Sequence, residues 1–238
     1  RMEELPGADA FPVDLSAIIS NFYARAGMVV LNNGQTGAVT FIGTVSPAGG
    51  NLKEPVTEST KKAARCFYAL EQGRADQKRY PAVGPLESYS KYLDYPEIRQ
   101  YLDETVEKGW VDKVLWAKNI VRRGKEASEQ INILGDDGVP MSYHVYFWKS
   151  ELVDFVILQQ DAFDAIDALC PLERQRFMLD LVLEICNKDF EFDNYEDCRI
   201  YFKDLINELR QMNYSPWQSE AFNSYRDQIT KLVEDNGN

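Results

Sequence analysis

Apolar residues recur at intervals of three and four along most of the chain, the spacing of one face of an α-helix. Leu15, Ile18, Ile19, Phe22 and Ala26 predict a first helix, with Asp14 at its N-cap and Gly27 at its stop. After Asn32-Asn33-Gly34 the period changes. Ala38-Val39-Thr40-Phe41-Ile42-Gly43-Thr44-Val45 is short, rich in β-branched and aromatic residues, and bounded by glycine and proline, which predicts a buried strand. Ser46-Pro47-Ala48-Gly49-Gly50-Asn51 reads as a loop. A helix is predicted from Val56 to Gly73 with Thr60, Ala63, Ala64, Phe67 and Leu70 on one face, then an extended piece over Arg79-Tyr80-Pro81-Ala82-Val83. Helix, strand, helix, strand suggests part of an α/β layer. Two strands do not complete a parallel sheet, so the layer reads as incomplete.

From Tyr95 onward the pattern is helical throughout. Pro96 occupies a helix N1 position before Ile98, Tyr101, Leu102 and Val106, and Gly109 reads as the stop. Val111, Val114, Leu115 and Lys118 predict a second helix, ending at Gly124. The loop Gly135-Asp136-Asp137-Gly138-Val139-Pro140 follows. Helices are predicted over 142–160, 172–188 and 195–212, the last with Cys198, Tyr201, Phe202, Leu205, Leu209 and Met212 on one stripe. Ser215-Pro216 is expected to cap a final helix carrying Phe222, Tyr225, Ile229 and Leu232. The expected fold class is therefore mainly α: a helical bundle preceded by part of an α/β domain.

Composition narrows the classes of function. Over 238 residues, 26 Lys and Arg stand against 38 Asp and Glu, a net charge of −12. An acidic surface repels nucleic acid and anionic lipid, so neither is an expected partner. No apolar run approaches the roughly 20 residues that span a bilayer, so direct membrane insertion is not expected. The chain starts Arg1-Met2-Glu3-Glu4-Leu5-Pro6-Gly7, without an initiator methionine, and reads like the middle of a larger protein.

The side chains that carry most chemistry are few. Cys66, Cys170, Cys186 and Cys198 form no CxxC pair, lie among apolar neighbours, and read as buried reduced thiols. His144 is the single histidine and sits in Tyr143-His144-Val145-Tyr146-Phe147-Trp148, a packed helix face rather than a catalytic centre. One histidine with scattered cysteines makes no zinc site. Asp189, Glu191, Asp193 and Glu196 imitate a calcium loop but lack its glycine and its spaced terminal glutamate. No GxxxxGK[ST] or GxGxxG occurs, so the chain carries no sequence-visible triphosphate cradle. Composition and spacing alone specify no reaction.

Four blocks in order carry a resemblance. Gly37 through Thr57, reading Gly37-Ala38-Val39-Thr40-Phe41-Ile42-Gly43 and then Val45-Ser46-Pro47-Ala48-Gly49-Gly50-Asn51 to Glu54-Pro55-Val56-Thr57, resembles the "GAVT-IGAVSPPGGDxSEPVTQxT" segment of the catalytic A-subunit (alpha-chain) family of V-type and archaeal-type rotary ATPases. Arg1 to Gly7 with Phe11-Pro12 resembles that family's "RLEEMPG…YP" stretch after the Walker B strand. Pro81-Ala82-Val83-Gly84-Pro85-Leu86-Glu87-Ser88-Tyr89-Ser90 is similar to the signature P-A-[IV]-[DN]-x-x-x-S-x-S. Gln159-Gln160-Asp161-Ala162-Phe163, with Asp167, Cys170 and Pro171, resembles "QQNAF…D-FCP".

The resemblance implies a C-terminal portion of a larger subunit: 1–93 as the tail of an incomplete RecA-like α/β nucleotide-binding domain and 94–238 as a helical domain. It implies a parent that makes or hydrolyses ATP with Mg²⁺, coupled by rotation to H⁺ or Na⁺ transport. The P-loop, catalytic glutamate and Walker B strand would lie before Arg1, so the portion alone is expected to be inactive, without catalytic or metal-binding residues and without its own cofactor. Tyr80, Phe163 and Leu169 fall on the family's adenine-pocket positions. An aromatic ring there would stack on a base for roughly 1–3 kcal/mol; Leu169 departs from the aromatic pattern and offers an apolar wall. Gly84 and Asn51 depart from the family's Asp or Asn and its Asp, removing a side chain that could brace the loop and a charge near the subunit interface. Asp136 and Asp137 fall at the acidic helix-turn-helix tip that presses on the central stalk, beside A and B subunits as partners, in a cytoplasmic head peripheral to the membrane. The rival expectation is a stand-alone helical interaction module without catalysis.

Overall fold

The computed structural model describes residues 11–236, so the Arg1–Gly7 block lies outside the described residues. In chain order the elements are α1 (Leu15–Tyr23), β1 (Gly27–Val30), β2 (Thr36–Val39), α2 (Pro55–Ala63), β3 (Cys66–Phe67), α3 (Gln72–Asp76), β4 (Tyr89–Ser90), α4 (Pro96–Thr105), α5 (Trp110–Leu134), α6 (Met141–Val153), α7 (Leu172–Asn187), α8 (Tyr195–Asn213) and α9 (Glu220–Asn236). A π-helical turn over Asp154–Leu158 prolongs α6. Among the described residues the architecture is mainly α, with sheet confined to two small antiparallel pairs, β1–β2 and β3–β4.

The core lies in the second half. On α8, Cys198, Phe202, Leu205, Leu209 and Met212 are all fully buried, the stripe that the 3–4 spacing predicts. They pack with Leu152 and Val153 of α6, Val182 and Leu183 of α7, and Phe222, Ile229 and Val233 of α9. Each such side chain contributes about 1.5–3 kcal/mol by leaving water. Asn194 caps α8, accepting from the Asp197 amide at 3.0 Å. His144 is buried on α6 as a packed face, its ring stacked on Tyr195 and its Nε2 2.9 Å from the Asp136 carbonyl oxygen.

Several sequence expectations are corrected. The run Ala38–Val45 is not a buried strand. Pairing covers only Thr36–Val39 against Gly27–Val30, around the Asn33-Gly34 turn where Gly34 adopts φ 81°. Met28, Val29, Val30, Val39 and Ile42 are exposed, because no described element covers the hairpin. The helix expected over 56–73 stops at Ala63, where Ala64 turns to extended backbone and the chain enters β3. The extended piece at 79–83 makes only the Leu70–Val83 bridge. Gly109 does not end α4; it is the left-handed N-cap of α5. Gly124 does not end α5, which runs ten residues further to Leu134. Ser215-Pro216 does not start α9; Ser219 does, its Oγ accepting from the Phe222 amide at 3.2 Å. Cys186 and Cys198 are buried, whereas Cys66 and Cys170 are only partly so; all four are free thiols.

Both departures from the family pattern have a local account. The Asn51 Oδ1 accepts from the Lys53 amide at 3.0 Å, a turn-bracing bond that an aspartate oxygen would also accept. Gly84 is buried and donates to the Ala69 carbonyl at 2.8 Å, and a Cβ there would overlap the Glu71 side chain.

Candidate functional site

Tyr80-Pro81 and the Gln159–Phe163 loop meet across a cavity of about 510 Å³, within the size range of small-molecule sites. Its walls include Tyr80, Phe155, Gln159, Gln160, Phe163 and Arg210. The Gln160 amide donates to the Tyr80 carbonyl at 3.0 Å, so the two quoted motifs are joined backbone to backbone. Tyr80 is half exposed at 54% and Phe163 fully exposed at 101%. Two aromatic faces therefore stand open at the rim. Leu169 is also exposed, at 80%, but is not part of the cavity lining.

Local chemistry shapes each wall. On one side the chain leaves α3 through Lys78 in the left-handed region, φ 58°, and the Arg79 amide returns to the Arg74 carbonyl at 2.8 Å. That turn brings the Arg79 guanidinium to Glu151 and Asp154, while Tyr80 lines the cavity. On the other side, the π turn closes with the Gln159 amide on the Asp154 carbonyl at 3.0 Å. The loop beyond is held by its own carboxylates. Asp161 Oδ1 accepts from the Phe163 amide at 2.9 Å, Asp167 Oδ2 from the Asp161 amide at 2.6 Å, and Asp164 Oδ1 from the Asp167 amide at 2.8 Å. Gln160 donates through Nε2 to the Asp167 carbonyl at 2.7 Å. Beneath it the buried Arg174 donates to the carbonyls of Asn213 and, at 3.5 Å, Ile166.

Burial pushes the Asp167 carboxyl above its ordinary value, against the lowering pull of the Asp161 amide and Arg174. Burial alone would lower the Arg79 pKa, but the hydrogen bonds and charges of Glu151 and Asp154 raise it further, keeping the guanidinium cationic. Among the described residues no group of three His, Cys, Asp or Glu could hold a metal ion, and no helix is long and apolar enough to cross a membrane. The cavity suits a flat, partly apolar ring at its rim and holds no lysine-bearing glycine loop for a phosphate chain.

A hollow of similar volume, about 530 Å³, lies between Leu86-Glu87 and α5. It has no aromatic wall, and Arg122 there is paired with Glu126 at 2.8 Å, so it is a solvated charged face. Asp136 and Asp137 are exposed at the α5–α6 tip, apart from both hollows. The sequence does not single out Phe155, Arg210 or Asn213 as cavity residues: Phe155 sits in the π turn just before Gln159, Arg210 and Asn213 come from the distant α8, and none carries a motif of its own.

Residues 1–90 match the ATP synthase alpha/beta family, nucleotide-binding domain. The chain is 40% identical over 233 residues to the V-type ATP synthase alpha chain of Borrelia duttonii (strain Ly), covering 98% of this chain and 38% of that one. It is 39% identical over 234 residues to the V-type ATP synthase alpha chain of Protochlamydia amoebophila (strain UWE25), covering 98% and 39%. It thus spans under two-fifths of these relatives' length. In fold it resembles an ATP synthase subunit, NeqB, from Nanoarcheaum equitans, with TM-score 0.56, 20% identity, and coverage of 77% of this chain and 42% of that one.

Proposed function

Because the chain is homologous to part of the V-type ATP synthase alpha chains, we propose that the cavity between Tyr80 and the Gln159–Phe163 loop receives the adenine ring of ATP or ADP. The observation that carries this is the Gln160–Tyr80 backbone bond at 3.0 Å, which sets the two motif segments against each other around one cavity. Tyr80 and Phe163 supply aromatic faces for stacking. Leu169, exposed and outside the cavity lining, is left with at most a peripheral apolar contact to the base.

The chain contributes the base end of the site. Its sequence has no GxxxxGK[ST] phosphate cradle, which supports reading the phosphates and Mg²⁺ as held elsewhere in an alpha chain and this chain by itself as inactive. Within a whole subunit, residues 1–93 belong to the nucleotide-binding unit and 94–238 form a helical unit. The exposed tip at Asp136 and Asp137 contacts the central stalk, among A and B subunits in a head peripheral to the membrane. There ATP synthesis or hydrolysis is coupled to H⁺ or Na⁺ transport.

Photolabelling with 2-azido-ADP tests the reading. Label is expected on the peptides containing Tyr80 and Phe163, and unlabelled ADP is expected to suppress it. Label spread over α5 or α9, or insensitive to ADP, contradicts it.

A further inference from the structure

Four charged side chains, largely buried, connect the two walls of the cavity from behind. Arg79 forms a bidentate pair with Glu151, both contacts at 2.9 Å, and also donates to Asp154. Arg74 donates to the other Asp154 oxygen at 2.7 Å. Their side chains are 6–18% exposed, so solvent screens these pairs weakly. Forked Arg–carboxylate geometry also fixes orientation, which a lysine's point charge does not.

The position of the cluster gives it a purpose. Arg79 immediately precedes Tyr80, and Asp154 opens the π turn whose last bond sets Gln159. The Arg79 guanidinium lies 4.9 Å from the centre of the Phe155 ring, a cavity-lining side chain that Arg210 also approaches, at 5.8 Å. Arg79 thus touches the segment behind each wall, and the Gln160–Tyr80 hydrogen bond spans the front.

We propose that Arg79 is a positioning residue: its pairs with Glu151 and Asp154 lock the Tyr80 wall to the Gln159–Phe163 wall and so set the width of the cavity. The inference rests on the base-pocket reading only for the identity of the ligand. Arg74 shares Asp154 without adjoining Tyr80, so it serves as an internal control.

Amide hydrogen exchange of the intact chain tests this without nucleotide. Arg79→Met is expected to speed exchange at Gln160 at least tenfold while Leu205 and Leu209 in α8 stay within twofold of the parent. Arg79→Lys, which keeps the charge and loses the fork, is expected to give at least threefold at Gln160, and it stands in for Arg79→Met if that variant loses α8 protection. Arg74→Met is expected to leave Gln160 within twofold. Unchanged Gln160 exchange in Arg79→Lys, or equal acceleration in Arg74→Met and Arg79→Met, overturns the proposal. In a second arm, 2-azido-ADP labelling of the Tyr80 peptide is expected to fall at least threefold in Arg79→Met. If the parent chain takes no label while the exchange pattern holds, the base-pocket reading fails and the positioning role stands.

Discussion

Gly124, midway along α5, lies so close to Ser150 of α6 that a Cβ on the glycine would overlap the serine Cβ, and the Tyr146 carbonyl oxygen stands 3.1 Å from the same point. This contact sets how closely the two helices of the α5–α6 hairpin approach. Arg123 stacks over the Tyr146 ring at 4.8 Å beside it. Gly124→Ala gains helix propensity yet overpacks this seam, so a net loss of about 1–3 kcal/mol is expected in chemical denaturation. The pair Gly124→Ala with Ser150→Gly is expected to recover part of that loss. A stabilised Gly124→Ala single variant would show that the helices can separate freely.

The free thiols should separate by reactivity. Burial pushes both the Cys186 and Cys198 thiols up to about 12, and Cys198 is fully buried. At pH 8 in the native state a maleimide is expected to modify Cys66 and Cys170 and to spare Cys186 and Cys198 until the chain unfolds. Mass mapping of the alkylated peptides reads this directly; early modification of Cys198 would contradict the described α8 core.

Asp167 gives a pH signature. Its folded-state pKa is raised, so the native chain binds more protons than the unfolded chain just above the ordinary aspartate range. Its contribution to stability therefore falls as pH rises through that window. Asp167→Asn keeps an oxygen for the Asp161 amide and removes the charge. Thermal melts from pH 4 to 7 are expected to show the variant gaining on the parent chain as pH rises, and a gap that shrinks would reverse the assignment.

Protection against exchange should be uneven along the chain. Around Met28, Val29 and Val30 the β1–β2 hairpin exposes apolar residues, while the hydrophobic cluster runs from Ile120 to Val233. Hydrogen exchange is expected to reach the hairpin amides orders of magnitude sooner than those of Val182 or Leu209. Uniform protection in a verified monomer would mean that the two parts unfold as one.

Those same residues show what the sequence made legible. The α8 stripe was readable because burial there repeats every three to four residues. The Ala38–Val45 run was not, because β-branched residues signal a strand without saying whether anything covers it. Gly124 was ambiguous: a glycine that permits close helix contact looks, in one sequence, like one that ends a helix. At the site, Tyr80 and Phe163 were singled out through motifs, and both line the cavity. The Arg79–Glu151 pair spans 72 positions and leaves no local pattern.

Stacking by Tyr80 and Phe163 sets a scale for ligand binding. Removing either ring is expected to weaken adenosine binding by roughly tenfold, taking about 1.4 kcal/mol from the stacking range. Leu169→Ala, outside the cavity lining, is expected to change it less. Equilibrium titration of the three variants checks the order.

The most direct test is an NMR titration of the intact chain with adenosine, ADP and ribose 5-phosphate in turn. Adenosine and ADP should shift the same amides, Gln160 and Phe163 foremost, with similar affinity, because the base end is what this chain supplies; ribose 5-phosphate should leave them unmoved. Shifts produced by ribose 5-phosphate, or adenosine shifts confined to other parts of the chain, would contradict the account.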